Sequence, residues 1–327
     1  MMTRAVASIL LAFVISLPAV AEDAPKLGLP IACEPGKTCW VQQYADHDPS
    51  PGVTDYACGA ETYDGHDGTD IRIRDTASSA DVIAAAAGTV KAVRDGMDDH
   101  LIRTDADRKA IANHECGNGA LVTLAGGWET QYCHMRKGSV AVKAGDQVVP
   151  GQRLGQVGFS GMAAFPHVHL TVRKDGKPVD PFRPVDGDKP CGGAETPLWT
   201  TAALSQLAYD KGDIIRAGFA PGPVEMAGLE DGSPADALPA SDWPALIAYA
   251  WAINLAAGDS IKVSIDGPDG FAAANAAGIE RAKAQYMLFA GKKRPAGGWP
   301  RGTYTAKVEV MNGGTVRLSQ TWRANLD

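Results

Sequence analysis

Two histidines two residues apart head the stretch FPHVHLTVRKDG, residues 165–176. Side chains two apart on a β-strand share a face, so His167 and His169 present their imidazoles side by side while Val168 turns away. A second group lies in YDGHDGTDIRI, where His66 and Asp70 have matching parity about Gly68. Glycine there is expected to let the backbone turn tightly so that both side chains converge. A third group lies in ETQYCHM, whose alternation puts Tyr132 and His134 on one face at a strand end.

Imidazole nitrogen and carboxylate oxygen together suit zinc, whose catalytic sites use three protein ligands and leave a fourth position to water. Such a centre lowers the pKa of its water to about 7 and polarises a substrate carbonyl. Four histidines and one aspartate compete for three positions. The two left over match what amide hydrolysis needs: one group to move a proton from water to the leaving amine and one to stabilise the oxyanion. Strand parity does not say which of His167 and His169 is the ligand.

The elements that must position these residues are short β-branched runs separated by glycines: TDIRIRD, DVIAAAAGTVKAV, GALVTLAGG, WETQYCHM, VKAGDQVV, GQRLGQVG and HVHLTVRKDG. Their alternation and spacing predict antiparallel sheet. One charged insertion, residues 96–119, interrupts them and is read as a solvated loop or as a loop over the site. Beyond a Pro- and Gly-rich boundary at residues 183–197, Ile247, Tyr249, Trp251 and Ile253 alternate with alanines. After a turn at AAGD, Ile261, Val263 and Ile265 alternate again, which reads as a strand pair. A second hairpin is expected in GTYTAKVEVMNGGTVRLSQTW, with NGG at its tip. The tryptophans of this half, Trp199, Trp243, Trp251, Trp299 and Trp322, read as core anchors. The fold class is therefore all-β, an antiparallel sheet domain followed by an immunoglobulin-like β-sandwich. The divisions are 1–21, a signal peptide; 22–59, a disulfide-stapled segment; 60–190, the domain with the histidines; and 191–327, the sandwich.

The first 21 residues carry one arginine, an apolar run too short for a membrane span, and small residues at Ala19 and Ala21 for cleavage. Export without stable membrane insertion is the expectation. Six cysteines, an even number with no C-x-x-C pair, then read as disulfides. Cys33 and Cys39 close a short loop, while Cys58, Cys116, Cys133 and Cys191 leave their pairing open. A Cys116–Cys133 bridge would cross one predicted hairpin, yet counting from its turn puts the two several residues out of register. The net charge of −7, one unit more negative once Arg4 is removed, excludes the basic face of a nucleic-acid binder. GFSGM is not a nucleophile elbow, because a glycine directly follows Ser160. His47, His100 and His114 lie in polar loops and read as solvated.

The blocks HDGTD, YCHM, VKAGDQVVPGQRLGQVGFSG and HVHLTVRKDGKPVDPF, in this order, resemble the lysostaphin-type (LytM-like) zinc metallopeptidases. The resemblance covers residues 60–182 and implies a small antiparallel β-sheet groove. It implies His66, Asp70 and His169 as the ligands of Zn2+, with His134 and His167 as the catalytic pair. It also implies a peptidoglycan peptide as substrate, which fits an exported protein in the periplasm of a Gram-negative bacterium. Alternatives in view are an inactive wall-binding activator of another hydrolase and a zinc peptidase acting on proteins. The charged insertion and the cysteines depart from the simplest members.

Overall fold

The computed structural model describes residues 24–184, 191–192, 195–209, 211–233 and 238–326. The signal-peptide reading falls on residues 1–21, outside that range, as does part of the expected boundary at 183–197. The first unit contains ten strands: β1 (Cys39–Gln43), β2 (Thr69–Ile73), β3 (Asp81–Ile83), β4 (Gly88–Arg94), β5 (Asn118–Thr123), β6 (Trp128–Met135), β7 (Gln147–Val148), β8 (Arg153–Gln156), β9 (His167–Lys174) and β10 (Lys177–Val179). Eight of them form one sheet in the order β1-β2-β9-β6-β5-β4-β7, with β10 on β9, and β3 pairs with β8 separately. All these pairings are antiparallel.

Each run read as a strand contributes one, except DVIAAAAGTVKAV, which supplies both β3 and most of β4, and alternation decides which face is buried. Ile71, Ile73, Val168, Leu170, Val172 and Tyr132 enter a core with Val122, Leu154 and Trp199. The opposite face carries Asp70 beside His169 and Arg72 beside His167. Strand β1 was not foreseen, because CWVQQ is buried on both faces and carries no alternation. Inside the charged insertion, α1 (Asp105–Ala110) is opened by a capping box between Thr104 and Asp107. No helix among the described residues is long and apolar enough to cross a membrane.

Two more helices, α2 (Thr201–Gln206) and α3 (Met226–Glu230), flank β11 (Asp213–Ala220). Leu198, Trp199, Ala203 and Leu207, expected to open the second unit, pack into the first core instead. The remaining strands are β12 (Ala245–Leu255), β13 (Asp259–Asp266), β14 (Ala272–Gly278), β15 (Lys283–Lys293), β16 (Gly302–Asn312) and β17 (Thr315–Leu326). They form a three-stranded sheet, β11-β12-β15, and a four-stranded sheet, β14-β13-β16-β17. The hairpin of β16 and β17 turns on Gly313 and Gly314, both at positive φ as a two-residue hairpin loop requires.

Strands β12 and β13 do not pair with each other as expected. They belong to opposite sheets that share one core, so the AAGD turn carries the chain across that core. The reason lies in β12, which is buried along its whole length. Its small face (Leu246, Ala248, Ala250, Ala252) packs against Ile261, Val263 and Val308. Its bulky face (Ile247, Tyr249, Trp251, Ile253) packs with Trp40 of the first unit.

Three disulfides join Cys33–Cys39, Cys58–Cys191 and Cys116–Cys133. The last overcomes the counted mismatch in two ways. A bulge shifts the β5/β6 register between Asn118 and Ala120, and a turn from His114 to Gly117 folds Cys116 back beside Cys133. Cys58–Cys191 spans 133 residues, the longest loop closed. Replacing both of these cysteines by serine is expected to cost about 2–5 kcal/mol of stability, read from denaturant unfolding.

Candidate active site

The five residues singled out from the sequence meet on the polar face of the large sheet. Asp70 and His169 are register partners on β2 and β9, and Cys133 sits opposite His169 on β6. His169 Nδ1 is 2.8 Å from Asp70 Oδ1 and 3.1 Å from His66 Nε2, which is itself 3.3 Å from the same carboxylate oxygen. His66, Asp70 and His169 therefore offer one donor atom each within 4.8 Å of one another, a set that can hold a metal ion.

The local chain explains the convergence, with one change to the expected role of Gly68. The turn is made earlier, at Gly65, where φ is 75°. Gly68 supplies room: a Cβ there would lie 2.6 Å from Leu170 O and 2.7 Å from the His169 ring.

His134 differs from expectation more strongly. Alternation placed it on the face of Tyr132, but Tyr132 points into the core, where its hydroxyl accepts from Ala85 N–H. His134 lies at φ 62°, a left-handed conformation rare outside glycine, which turns its ring to the other face. There its centroid is 4.5 Å from that of His167. Its N–H donates to Cys116 O and its own carbonyl accepts from Gly158 N–H, so both backbone groups are paired in the strained geometry.

Backbone carbonyls set three of the four tautomers, because a carbonyl only accepts. His66 Nδ1–H donates to Tyr44 O, His134 Nδ1–H to Ser160 O and His167 Nδ1–H to Phe165 O. In each ring Nε2 is left as the basic nitrogen. His169 is reversed: its Nε2 meets Thr171 Oγ1 at 2.8 Å and Asp67 at 3.2 Å, leaving Nδ1 for the centre. Outer contacts of this kind orient the ligands of metal sites.

Electrostatics separate the groups. Burial works against a charged Asp70, but His66, His167 and the hydrogen bond to His169 outweigh it and hold the carboxyl well below its usual range. Burial also opposes the charge of His169, yet Asp67 and Asp70 raise it to about 9. His134 is pushed well down by burial and by its neighbours His167 and His169. Burial lowers His167 too, against the opposing pull of Asp70, 3.5 Å away.

A cavity of about 330 Å³ opens over His134 and His169, lined also by Tyr63, Glu115, Gln131, Met162 and Arg173. Tyr63 stacks on His66, with centroids 4.4 Å apart. Asp67, Thr171 and Tyr63 were not singled out from the sequence, although the parity that marked His169 also puts Thr171 on its face. His47, read as solvated, instead pairs with Asp180 at 2.7 Å.

The family model described as Peptidase family M23 matches residues 64–181. The cell division protein DipM of Caulobacter vibrioides is 42% identical over 71 residues, 20% of this chain and 11% of that protein's length. Among solved structures, the catalytic domain of the prophage-encoded M23 protein EnpA from Enterococcus faecalis aligns with 48% of this chain and 93% of its own. The identity is 24% and the TM-score 0.31. The SpoIIQ–SpoIIIAH pore-forming complex aligns over 49% of this chain and 90% of the matched chain, at 22% identity and a TM-score of 0.35. All five converging residues fall within residues 64–181, the stretch that matches the model of peptidase family M23, and the chain spans only a small part of the curated relative it matches.

Proposed function

We propose that the protein is an exported zinc endopeptidase that hydrolyses amide bonds in peptidoglycan peptides. The observation that carries this reading is the convergence of His66, Asp70 and His169 beside two further histidines whose pKa values are lowered. The donor set fits zinc. Two imidazole nitrogens and one carboxylate oxygen lie 2.8–3.3 Å apart, close to the roughly 3.3 Å edge of a tetrahedron with zinc–nitrogen bonds of about 2.05 Å. When bound there, zinc supplies Lewis acidity towards a water and a peptide carbonyl.

The chain's own residues divide the remaining work. His134, pushed furthest below its ordinary pKa, is neutral at pH 7 and takes a proton on Nε2 from the attacking water. The same nitrogen then delivers it to the departing amine. His167, whose Nε2 lies 3.5 Å from Asp70 and whose ring is 4.5 Å from that of His134, donates to the developing oxyanion when it carries a proton on Nε2. Asp67 and Thr171 keep Nδ1 of His169 turned to the centre. Three disulfides support export to an oxidising compartment, as do the small residues at Ala19 and Ala21.

Elemental analysis and digestion of purified sacculi test the reading together. Wild type is expected to hold about one zinc and His169→Ala little, with turnover lost in the variant. His134→Ala should keep its zinc and lose roughly 10²–10⁴-fold in turnover. A folded His169→Ala protein that digests sacculi as fast as wild type would overturn the assignment; a zinc-free wild type that only stimulates another hydrolase would make it an activator.

Gly68→Ala probes the ligand geometry alone. Its methyl group meets Leu170 O and the His169 ring, so zinc affinity should fall by about tenfold or more, measured by competition with a chelator, while the fold is retained.

A further inference from the structure

Arg72 stands next to His167 across the β2/β9 pair, and its side chain is entirely buried. A buried guanidinium needs all its donors engaged. Here Nε donates to Ile73 O and Nη2 to Arg74 O, while Nη1 donates to Gln42 Oε1 at 2.6 Å and to Gln285 Oε1 at 3.0 Å. Gln285 belongs to β15 of the second unit. Burial depresses the charged form, and Glu230 and Asp75 support it without bonding directly to it.

The guanidinium also lies over two rings, 4.9 Å from the centroid of Phe165 and 5.0 Å from that of Trp251 on β12. Phe165 is the residue whose carbonyl accepts from His167 Nδ1–H, and the two rings are 4.6 Å apart. One continuous set of contacts thus runs from the second unit through Arg72 and Phe165 to His167. Gln285 and Ala284 further line a cavity of about 340 Å³ together with Asp70 and His167.

We infer that the second unit is part of the catalytic apparatus: Gln285 and Trp251 are positioning residues that hold Arg72, and through Phe165 fix the ring of His167. The inference rests on the proposed role of His167. It assigns the second unit a task in turnover, separate from any part in binding the cell wall. Removing the Gln285 acceptor leaves a buried donor unpaired, and removing the Trp251 ring frees one face of the guanidinium. Either change lets Arg72 shift and His167 lose its fixed hydrogen bond.

The experiment uses the full chain carrying Gln285→Leu, Trp251→Leu or Trp251→Phe. The readouts are zinc content, kcat and KM on a peptide substrate, and the His167 Nδ1–H resonance by NMR. The two leucine variants should keep their zinc and KM, lose about tenfold or more in kcat, and show a shifted or rapidly exchanging His167 proton. Trp251→Phe retains an aromatic face and should stay near wild type in all of these. A purely structural role would lower the melting temperature of the leucine variants but leave kcat and the His167 resonance of the folded protein unchanged, and that result overturns the inference. Should wild type show no turnover on any peptide, the proposed function fails, while the His167 resonance still decides whether Arg72 positions the ring.

Discussion

The carboxylate of Asp70 is 2% exposed, and the arrangement of the large sheet follows from keeping it there. Taking an ionised carboxylate out of water costs several kcal/mol unless opposite charge or hydrogen-bond donors replace the solvent. Three imidazoles supply the replacement, with nitrogens 2.8 Å, 3.3 Å and 3.5 Å from Oδ1. This cage exists in one register of β2 against β9, because a one-residue slip would send His169 into the apolar core and bring Val168 or Leu170 to the carboxylate. Core packing of Ile71 and Ile73 therefore serves the site as directly as the polar contacts do.

A sheet has two faces, and the site asks β6 for more than alternation allows. Tyr132 is needed below the sheet and Cys133 lies opposite His169, yet His134 must also reach the polar side. The chain meets both demands by placing His134 in a left-handed conformation, at a cost of roughly 1–3 kcal/mol. The backbone bonds to Cys116 and Gly158 and the adjacent Cys116–Cys133 bridge hold that conformation. Such strain persists where the surroundings over-determine it, and here they are the disulfide and the bulged β5/β6 ladder.

The two units are joined by a strand that is apolar on both sides. Strand β12 gives its alanines to the core it shares with β13 and β16, and its large residues to the junction with Trp40. Polar pairs then orient the junction: Trp40 Nε1–H donates to Asp213, Gln42 to Ala284 O, Asn254 to Gln42 O, and Arg103 pairs with Glu230. Several of these contacts fall close to the cleft, so the relative placement of the units and the shape of the cleft are set by the same residues.

Much of this was legible in order along the chain. Residue types and period two were enough to locate the strands of the large sheet other than β1 and β10, to mark His66, Asp70, His134, His167 and His169, and to recognise the glycine-rich β16/β17 hairpin, since each depends on neighbours a few residues away. Which strands pair was not legible: β12 and β13 looked like partners because both alternate, but whether β12 is buried on one face or two depends on Trp40 and β15, far off in sequence. The bulge that turns His134 over, the Cys116–Cys133 contact and the role of Gly68 as space for the His169 ring are likewise products of packing between distant strands. The sequence by itself determined the chemical groups and their local spacing. Tertiary structure decided which face each group occupies, because a single left-handed residue or a one-residue bulge reverses a side chain at a cost that only long-range contacts can offset.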